Sequence, residues 1–478
     1  MNNLPLIVDL DGTLICTDML HESTLRILRD KPFDFLAIPY WLSQGKAVLK
    51  RNLSNRTAFD ASTLPYNQPF LGWLKQQRLA GRKLVLCTAS DHVIAQAIAD
   101  HLGIFDEVMA SDGKTNLAGK HKAEALWQRY GHAGFDYAGN SKADLAVWAC
   151  ARQAIVVNAS VKLAKKAAEL CMVEQVYYST APSKISTWRK VLRVHQWMKN
   201  ALLFVPLLAA HQINNSDAWV TLFFSFFSFS LCASSVYIVN DLLDLESDRQ
   251  HPRKCNRPFA SGAVPVFMGV MLAPLLLMVS IALATICGGH FMSWLCFYFV
   301  VTCAYSWRLK SVMLLDCLTL AMLYTLRIIA GAAAISLGLS FWLLAFSVFL
   351  FLSLAFVKRY AELEVQLLDG KLKAHGRGYF TSDAPILQTM GISAGYSAVL
   401  VLAFYLNSDV VISLYKTPEI MWGTVPITLF WISWMWMTAH RGKMHDDPLV
   451  FAVKDKASLI AGVAFASVLA MGAVGWPW

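Results

Sequence analysis

Charge is what this 478-residue sequence has least of: Asp, Glu, Lys and Arg make up 15% of it, against roughly 25% in ordinary soluble chains. Hydrophobic residues reach 56% and the mean hydropathy is +0.45, which excludes a disordered chain and a purely cytosolic enzyme. The ten cysteines contain no Cys-x-x-Cys pair, and Cys232, Cys287, Cys296, Cys303 and Cys317 lie in apolar runs, so neither a disulfide framework nor a zinc site is implied. No run of Lys and Arg interleaved with aromatics is present to track a nucleic-acid backbone. The start, Met1-Asn2-Asn3-Leu4-Pro5-Leu6, lacks a charged leader and its short apolar run ends in acids. It is not a secretory signal, and the N-terminal part is expected to stay in the cytosol.

The scarcity of charge is uneven. Residues 1–190 carry 23 Lys/Arg and 17 Asp/Glu, 40 in 190 or 21%, whereas residues 191–478 carry 19 and 15, 34 in 288 or 12%. The front reads as soluble and the rear as membrane-embedded. The net charge of +10 divides as +6 and +4, so neither part is a polycation, and the basic balance suits anionic headgroups or phosphorylated substrates.

In the front part, Leu4–Val8 and Lys83–Cys87 are short apolar runs closed by Asp9-Leu10-Asp11-Gly12-Thr13 and by Thr88-Ala89-Ser90. Both read as buried parallel strands with chemistry at their C-terminal ends. Further strands are expected at Glu107–Ala110, Phe135–Ala138 and Ala154–Val157, with helices at His92–Leu102, Lys120–Tyr130 and Asp144–Gln153 between them. This alternation predicts a doubly wound α/β domain over residues 1–185, with a small helical cap inserted at about 18–80. Ser160–Arg193 reads as a final helix running into a basic connector at 186–193.

From 194 to 478, apolar runs of about 20 residues recur, the length a membrane-spanning helix needs. Nine are expected, at roughly 194–210, 217–239, 264–286, 289–306, 313–335, 340–358, 385–407, 422–439 and 458–476, giving an all-α membrane domain. The first is the weakest, because Lys199 and Asn200 shorten its apolar core. With the N-terminus inside, nearly all Lys and Arg of the connections fall on the cytoplasmic side, and only Lys416 on the other. That bias predicts a multi-pass protein of the bacterial cytoplasmic (inner) membrane with its N-terminal domain in the cytoplasm.

Asp9 and Asp11 stand two apart behind a strand, and Gly12 lets the chain turn beneath them. Two carboxylates there suit a Mg²⁺ ion plus one nucleophile or general acid. Thr88 stands where a hydroxyl can hold phosphate oxygens. Lys122 opens a helix after Leu117-Ala118-Gly119, with Lys114 and Lys120 as competitors for its role, and Asn140-Ser141-Lys142-Ala143-Asp144 follows a further strand. A lone Asp-x-Asp is commonly a solvated turn, but four such elements in this order are specific. On these residues, the region from about 4 to 160 resembles the haloacid dehalogenase-like phosphatase superfamily, with its cap in the first insertion position. The resemblance implies that Asp9 attacks the phosphoryl group and that Asp11 protonates the leaving oxygen and later activates water. It implies that Thr88 and Lys122 bind phosphoryl oxygens, and that Asn140 and Asp144 help Asp9 and Asp11 position Mg²⁺. Many members have Asp where this chain has Asn140, which lowers the local negative charge but keeps a carbonyl oxygen.

The second apolar run ends in Asn240-Asp241-Leu242-Leu243-Asp244-Leu245-Glu246-Ser247-Asp248, followed by a basic stretch through Arg257-Pro258. On a helix, Asp241, Asp244 and Asp248 fall at i, i+3 and i+7, on one face. Three like charges there repel unless a cation bridges them, and oxygen ligands near a membrane surface suit Mg²⁺ sharing its shell with substrate phosphates. An ordinary charged loop is the bland alternative, against which spacing and position weigh. This segment resembles the diphosphate site of UbiA-type intramembrane prenyltransferases, and nine spans and Arg257-Pro258-x-x-Ser261-Gly262 also fit, over about residue 194 to the C-terminus.

Further motifs look like the decaprenyl-phosphate phosphoribosyltransferase branch: His195-Gln196-Trp197-Met198-Lys199-Asn200, His251-Pro252-x-Lys254, Tyr305-Ser306-x-x-Leu309-Lys310, Leu326-Arg327, Lys358-Arg359-x-x-Glu362-Leu363, Arg377-Gly378-Tyr379 and Asp447-Pro448. The resemblance implies that 5-phosphoribosyl-1-diphosphate, held through Mg²⁺ at Asp241, Asp244 and Asp248, loses pyrophosphate as a polyprenyl phosphate oxygen attacks ribose C1. Lys199, Asn240, Arg257, Lys310, Arg327, Lys358 and Arg359 are then candidate substrate or diphosphate contacts, although Arg327 has a structural pairing as its alternative, and Lys358 and Arg359 a positive-inside anchor. A fused phosphatase makes chemical sense, because transfer leaves a 5-phosphate on the lipid-linked ribose. The expected partners are these substrates and membrane lipids, with no nucleic acid and a homo-oligomer open. An aromatic prenyltransferase carrying an unrelated phosphatase and a non-catalytic scaffold with a degenerate head are the rival readings.

Overall fold

Leu6, Ile7 and Val8 are fully buried and form the first strand of a parallel sheet. The computed structural model describes residues 4–178, 184–368, 370, 372, 377–444 and 447–475. Its contacts divide the chain into two units, Met1–Leu192 with Tyr237–Ala273, and Arg193–Val236 with Pro274–Trp478. A break at the end of the N-terminal domain was expected from the sequence. The inclusion of Tyr237–Ala273 in the first unit was not.

In the first unit, β1 (Leu6–Val8), β2 (Leu84–Asp91), β3 (Glu107–Ser111), β4 (Asp136–Gly139), β5 (Gln153–Val157) and β6 (Met172–Tyr177) pair in parallel in the order β3-β2-β1-β4-β5-β6. Successive side chains on a strand point to opposite faces. Leu6, Val8, Leu84 and Leu86 accordingly pack with Ile94 and Ile98 on one face, while Ile7, Val85, Cys87 and Val156 pack with Leu126 and Trp148 on the other. Uninterrupted apolar runs are what a sheet covered on both faces requires. β1 lies between β2 and β4, so the strand order reverses there, and the C-terminal ends at such a point open a crevice for ligands. The stretch expected to be only helix and connector contains helix Val161–Ala168 and then β6.

The cap is four helices, Met19–Asp30, Pro32–Phe35, Ile38–Ser43 and Lys46–Arg56, around Ile27, Trp41, Leu49 and Leu53. Asp18 starts it by accepting from the Leu20 and His21 amides. The cap is shorter than the 18–80 expected, because helix Gln68–Leu79 buries Phe70, Leu71 and Leu74 in the sheet core.

Among the described residues, seven helices are long and apolar enough to cross a membrane: Ser216–Leu243, Val266–Ile286, Leu315–Ala334, Phe341–Leu368, Thr381–Leu406, Pro418–His440 and Lys456–Val474. Two of the nine expected spans fall short of that standard. The run at 194–210 folds as a 3₁₀ helix, Val194–Phe204, and a short α-helix, Val205–Ala209; Lys199 and Asn200 are buried in the former, and Pro206 opens the latter. The run at 289–306 is helical, as Gly289–Trp307, but His290, Ser293 and Tyr298 dilute its apolar content. Leu315–Ala334 is 72% buried over its apolar window and carries Asp316 and Arg327 inside the second unit. Charges within a span are expensive in lipid and belong against protein.

Candidate functional site

The C-terminal ends of β1, β2 and β4 bring the first group of expected residues together. Asp9 leaves β1, and Lys122, from helix Lys120–Tyr130, places its Nζ 2.7 Å from Asp9 Oδ1 and donates to the Tyr137 hydroxyl at 3.0 Å. Lys114 and Lys120 are exposed. Asp11 accepts from the Met19 amide at 2.9 Å and from the Ser90 hydroxyl at 2.6 Å. Gly12 has φ +74°, and a Cβ there would lie 2.0 Å from Asn140 Nδ2, so the turn under the carboxylates needs glycine.

Two expected site residues make contacts that the sequence does not foretell. Thr88 is fully buried; its hydroxyl accepts from the Ser90 amide at 3.0 Å and reaches Asp11 only at 3.5 Å. Ser90 instead lines the cavity, with Lys50 of the cap, whose Nζ donates to the Ala89 carbonyl at 2.6 Å. Asp144, expected as a metal ligand, lines the same cavity as Asp9 and Asp11, and its oxygens also accept hydrogen bonds from the fold: Oδ1 from Tyr137, and Oδ2 from the Asn140 backbone amide and from Ser141. It holds the Asn140 loop in place. Nothing in the residue types marks Ser90 over Thr88, whereas Lys50 has no sequence signal at all.

Burial raises the Asp9 carboxyl to about 7, against the lowering pull of Lys122, and raises Asp11 to about 6 with help from the Asp18 charge. Burial pulls Lys122 down, but the charges of Asp9, Cys87 and Asp144 and the hydrogen bond to Asp9 together outweigh that and leave the ammonium more firmly protonated. Burial lowers Lys50. Two carboxylates raised in this way are short of positive charge. No group of three or more His, Cys, Asp or Glu converges among the described residues. An oxygen donor set of Asp9, Asp11 and neighbouring amide oxygens still fits Mg²⁺, which commonly keeps water and phosphate as its other ligands.

The second acidic group also lies in the first unit. Helix Ser216–Leu243 stops before Asp244, whose φ of −95° and ψ of 12° break the run, and a second helix, Leu245–Gln250, follows. The single helical face expected for Asp241, Asp244 and Asp248 is therefore interrupted. Asp241 and Asp248 are nonetheless brought together, both buried, by Arg257, whose Nη1 lies 3.0 Å from one and 2.6 Å from the other. Asp244 and Asn240 are half-buried beside them in the chain. The pair suits a cation, a place Arg257 now fills.

In the second unit, Lys199 and Lys358 converge on Asp447 Oδ2 at 2.7 and 3.2 Å, and the Tyr324 hydroxyl donates to the same carboxylate. Arg327 donates to Asn200 at 2.8 Å and to the Tyr298 hydroxyl at 2.9 Å. Arg359 is not among them. It is fully buried, 2.6 Å from the equally buried Asp316, with Glu362 as its other partner, and Tyr379 donates to Asp316. This enclosed pair is the structural pairing that the structure gives Arg359, where a substrate contact or a positive-inside anchor was expected. Lys310 sits half-buried in the short 3₁₀ turn Leu309–Ser311.

The UbiA prenyltransferase family matches residues 201–455. The uncharacterized protein y4nM of Sinorhizobium fredii is 37% identical, over 98% of this chain and 91% of its own. The decaprenyl-phosphate phosphoribosyltransferase of Mycolicibacterium smegmatis is 30% identical, over 62% of this chain and 95% of its own. Among solved structures, a substrate-bound phosphoserine phosphatase aligns at a TM-score of 0.28 and 12% identity, over 37% of this chain and 94% of its own.

Proposed function

Because the chain belongs to the UbiA prenyltransferase family, we propose that it transfers 5-phosphoribose from 5-phosphoribosyl-1-diphosphate to a polyprenyl phosphate. Its sheet domain then removes the 5-phosphate, leaving polyprenyl-phosphoryl ribose for cell-envelope glycans. The observation that carries this reading is that one unit holds both carboxylate pairs, Asp9 with Asp11 and Asp241 with Asp248. The acidic motif proposed to hold the diphosphate and the pocket proposed to act on the phosphomonoester belong to one unit. The distribution of Lys and Arg supports a cytoplasmic (inner) membrane location with that unit's sheet inside.

In the transfer, a polyprenyl phosphate oxygen bonds to ribose C1 as the C1–O bond to diphosphate breaks and pyrophosphate leaves. Asp241, Asp244 and Asp248, with Asn240 and Arg257, hold the diphosphate end. Lys199, Lys358 and Arg327, with Lys310, offer charge to phosphate oxygens in the second unit. Mg²⁺ bound at each carboxylate pair would neutralise phosphate oxygens there. In the sheet pocket, Asp9 attacks phosphorus and the ester P–O bond breaks. Asp11 gives its proton to the departing alkoxide and takes one from the water that then cleaves the acyl phosphate, releasing inorganic phosphate. Lys122 balances the charge at Asp9, and Ser90 fixes Asp11.

Membranes containing the protein, Mg²⁺, polyprenyl phosphate and ribose-labelled 5-phosphoribosyl-1-diphosphate test this directly. Labelled lipid lacking the 5-phosphate is expected. Absence of labelled lipid would sink the transferase assignment, and prenylation of 4-hydroxybenzoate would replace it with the aromatic one.

A further inference from the structure

The sheet pocket has a wall that phosphomonoester chemistry does not need. Besides its carboxylates, Lys122 and Ser90, the cavity of about 390 Å³ is lined by Leu20 of the cap and by Pro265 and Val266. Val266 opens Val266–Ile286, a helix apolar enough to cross a membrane and only 22% buried over its apolar window. The chain reaches that wall through Gly262 at φ +73°, where a Cβ would lie 2.3 Å from the Cys16 carbonyl oxygen, so the approach to the loop behind Asp11 is as tight as backbone allows. The cap meets the same stretch. The His21 ring lies 5.6 Å from the Phe267 ring, and Arg249 pairs with Glu22 at 2.6 Å with both side chains buried. Beyond Val266, the apolar side chains of Phe267, Met268 and Met271 are 50%, 41% and 54% exposed.

We propose that the apolar chain of the lipid-borne phosphomonoester, whose phosphate sits at Asp9, leaves the sheet pocket past Val266 along the exposed side of Val266–Ile286 into the membrane. This rests on the phosphatase reading above and adds the surface by which the pocket recognises the lipid. The first turn of a spanning helix sits at the level of the lipid headgroups, so a pocket walled by that turn opens at the same level. Ligand cavities run from about 300 to 1,000 Å³, and one near the lower end has room for a sugar phosphate but not for a polyprenyl chain as well. The chain must lie outside, and the exposed apolar residues nearest the pocket edge are those of this helix. The reaction needs water alone: the phosphomonoester and water give the lipid-linked alcohol and inorganic phosphate.

The full chain in lipid nanodiscs with Mg²⁺ can be offered two substrates with one headgroup, farnesyl-phosphoryl ribose 5-phosphate and methyl-phosphoryl ribose 5-phosphate, and phosphate release followed. The expected kcat/KM is at least tenfold higher for the farnesyl compound, mostly through KM. In Phe267→Glu, and separately in Met271→Glu, the ratio of the two kcat/KM values should fall several-fold; partitioning into the disc affects every variant alike, so this change reads the path. Equal kcat/KM in the unaltered protein overturns the proposal and leaves the phosphatase reading standing. A ratio unmoved by either substitution also overturns it. Release of phosphate from neither compound removes the phosphatase reading, and the proposal with it.

Discussion

Asp9 and Asp241 both stand where an apolar element gives way to a polar turn, yet their surroundings treat the charge differently. Asp9 has one ammonium at 2.7 Å, and burial still raises it to about 7, with Asp11 at about 6. Asp241 shares one guanidinium with Asp248, at 3.0 and 2.6 Å. A third carboxylate, Asp316, has Arg359 at 2.6 Å and the Tyr379 hydroxyl at the same distance, with no exposed surface on either member of the ion pair. The three differ in how the charge is met: one ammonium against burial at Asp9, one guanidinium shared by two carboxylates at Asp241 and Asp248, and one fully enclosed ion pair at Asp316. A charge enclosed with its own counter-charge serves the fold, whereas a carboxylate that burial holds above its ordinary range is available to a ligand.

The largest effects should come from breaking the first two members separately. Asp9→Asn is expected to lower phosphate release about 10³-fold or more while labelled lipid still forms and keeps its 5-phosphate, as mass spectrometry of the lipid would show. Asp241→Asn should lower lipid labelling about 10²-fold and spare hydrolysis of a supplied lipid phosphomonoester. Loss of both activities in either variant would merge the two pairs into one functional site.

The enclosed pair predicts a stability effect. Arg359→Met leaves Asp316 buried without its cation and should cost about 3–5 kcal/mol, read as a lowered unfolding midpoint in detergent. Arg359→Met with Asp316→Leu should recover most of that and retain transfer. A stable double variant without transfer would return Arg359 to substrate binding.

The smallest change sharpens the first member. Ser90→Ala removes a hydrogen bond that favours the Asp11 carboxylate, so the Asp11 pKa moves further up from about 6. Because Asp11 acts protonated in the first step, the alkaline limb of phosphate release should shift to higher pH. The shift should be up to about one unit, since such a bond is worth ~1 kcal/mol and a unit corresponds to about 1.4 kcal/mol. A shift to lower pH would deny Asp11 the acid role.

Five of the six strands were legible because each is an apolar run ending in turn residues. β6 was not, since Met172–Tyr177 includes Glu174 and Gln175, and as an edge strand none of its six residues is fully buried. Asp9, Asp11 and Lys122 could be read because local spacing places them at strand and helix ends. The pairing of Arg359 with Asp316 could not, because it joins two helices 43 positions apart without a local pattern. The short first membrane segment follows from Lys199, Asn200 and Pro206, and the sequence had already marked two of these as its weakness. The inclusion of Tyr237–Ala273 with the sheet depends on tertiary contacts such as Glu22 with Arg249, which no composition window registers.

That contact sets a ratio as well as a position. With Glu22 and Arg249 on one chain, each acidic motif at Asp241–Asp248 carries its own sheet pocket. Under the proposed function, a phosphorylated intermediate would meet that pocket at an effective concentration fixed by covalent geometry, independent of how dilute it is in the bilayer. Expression level would then change the amount of finished lipid without changing the proportion that escapes with its phosphate.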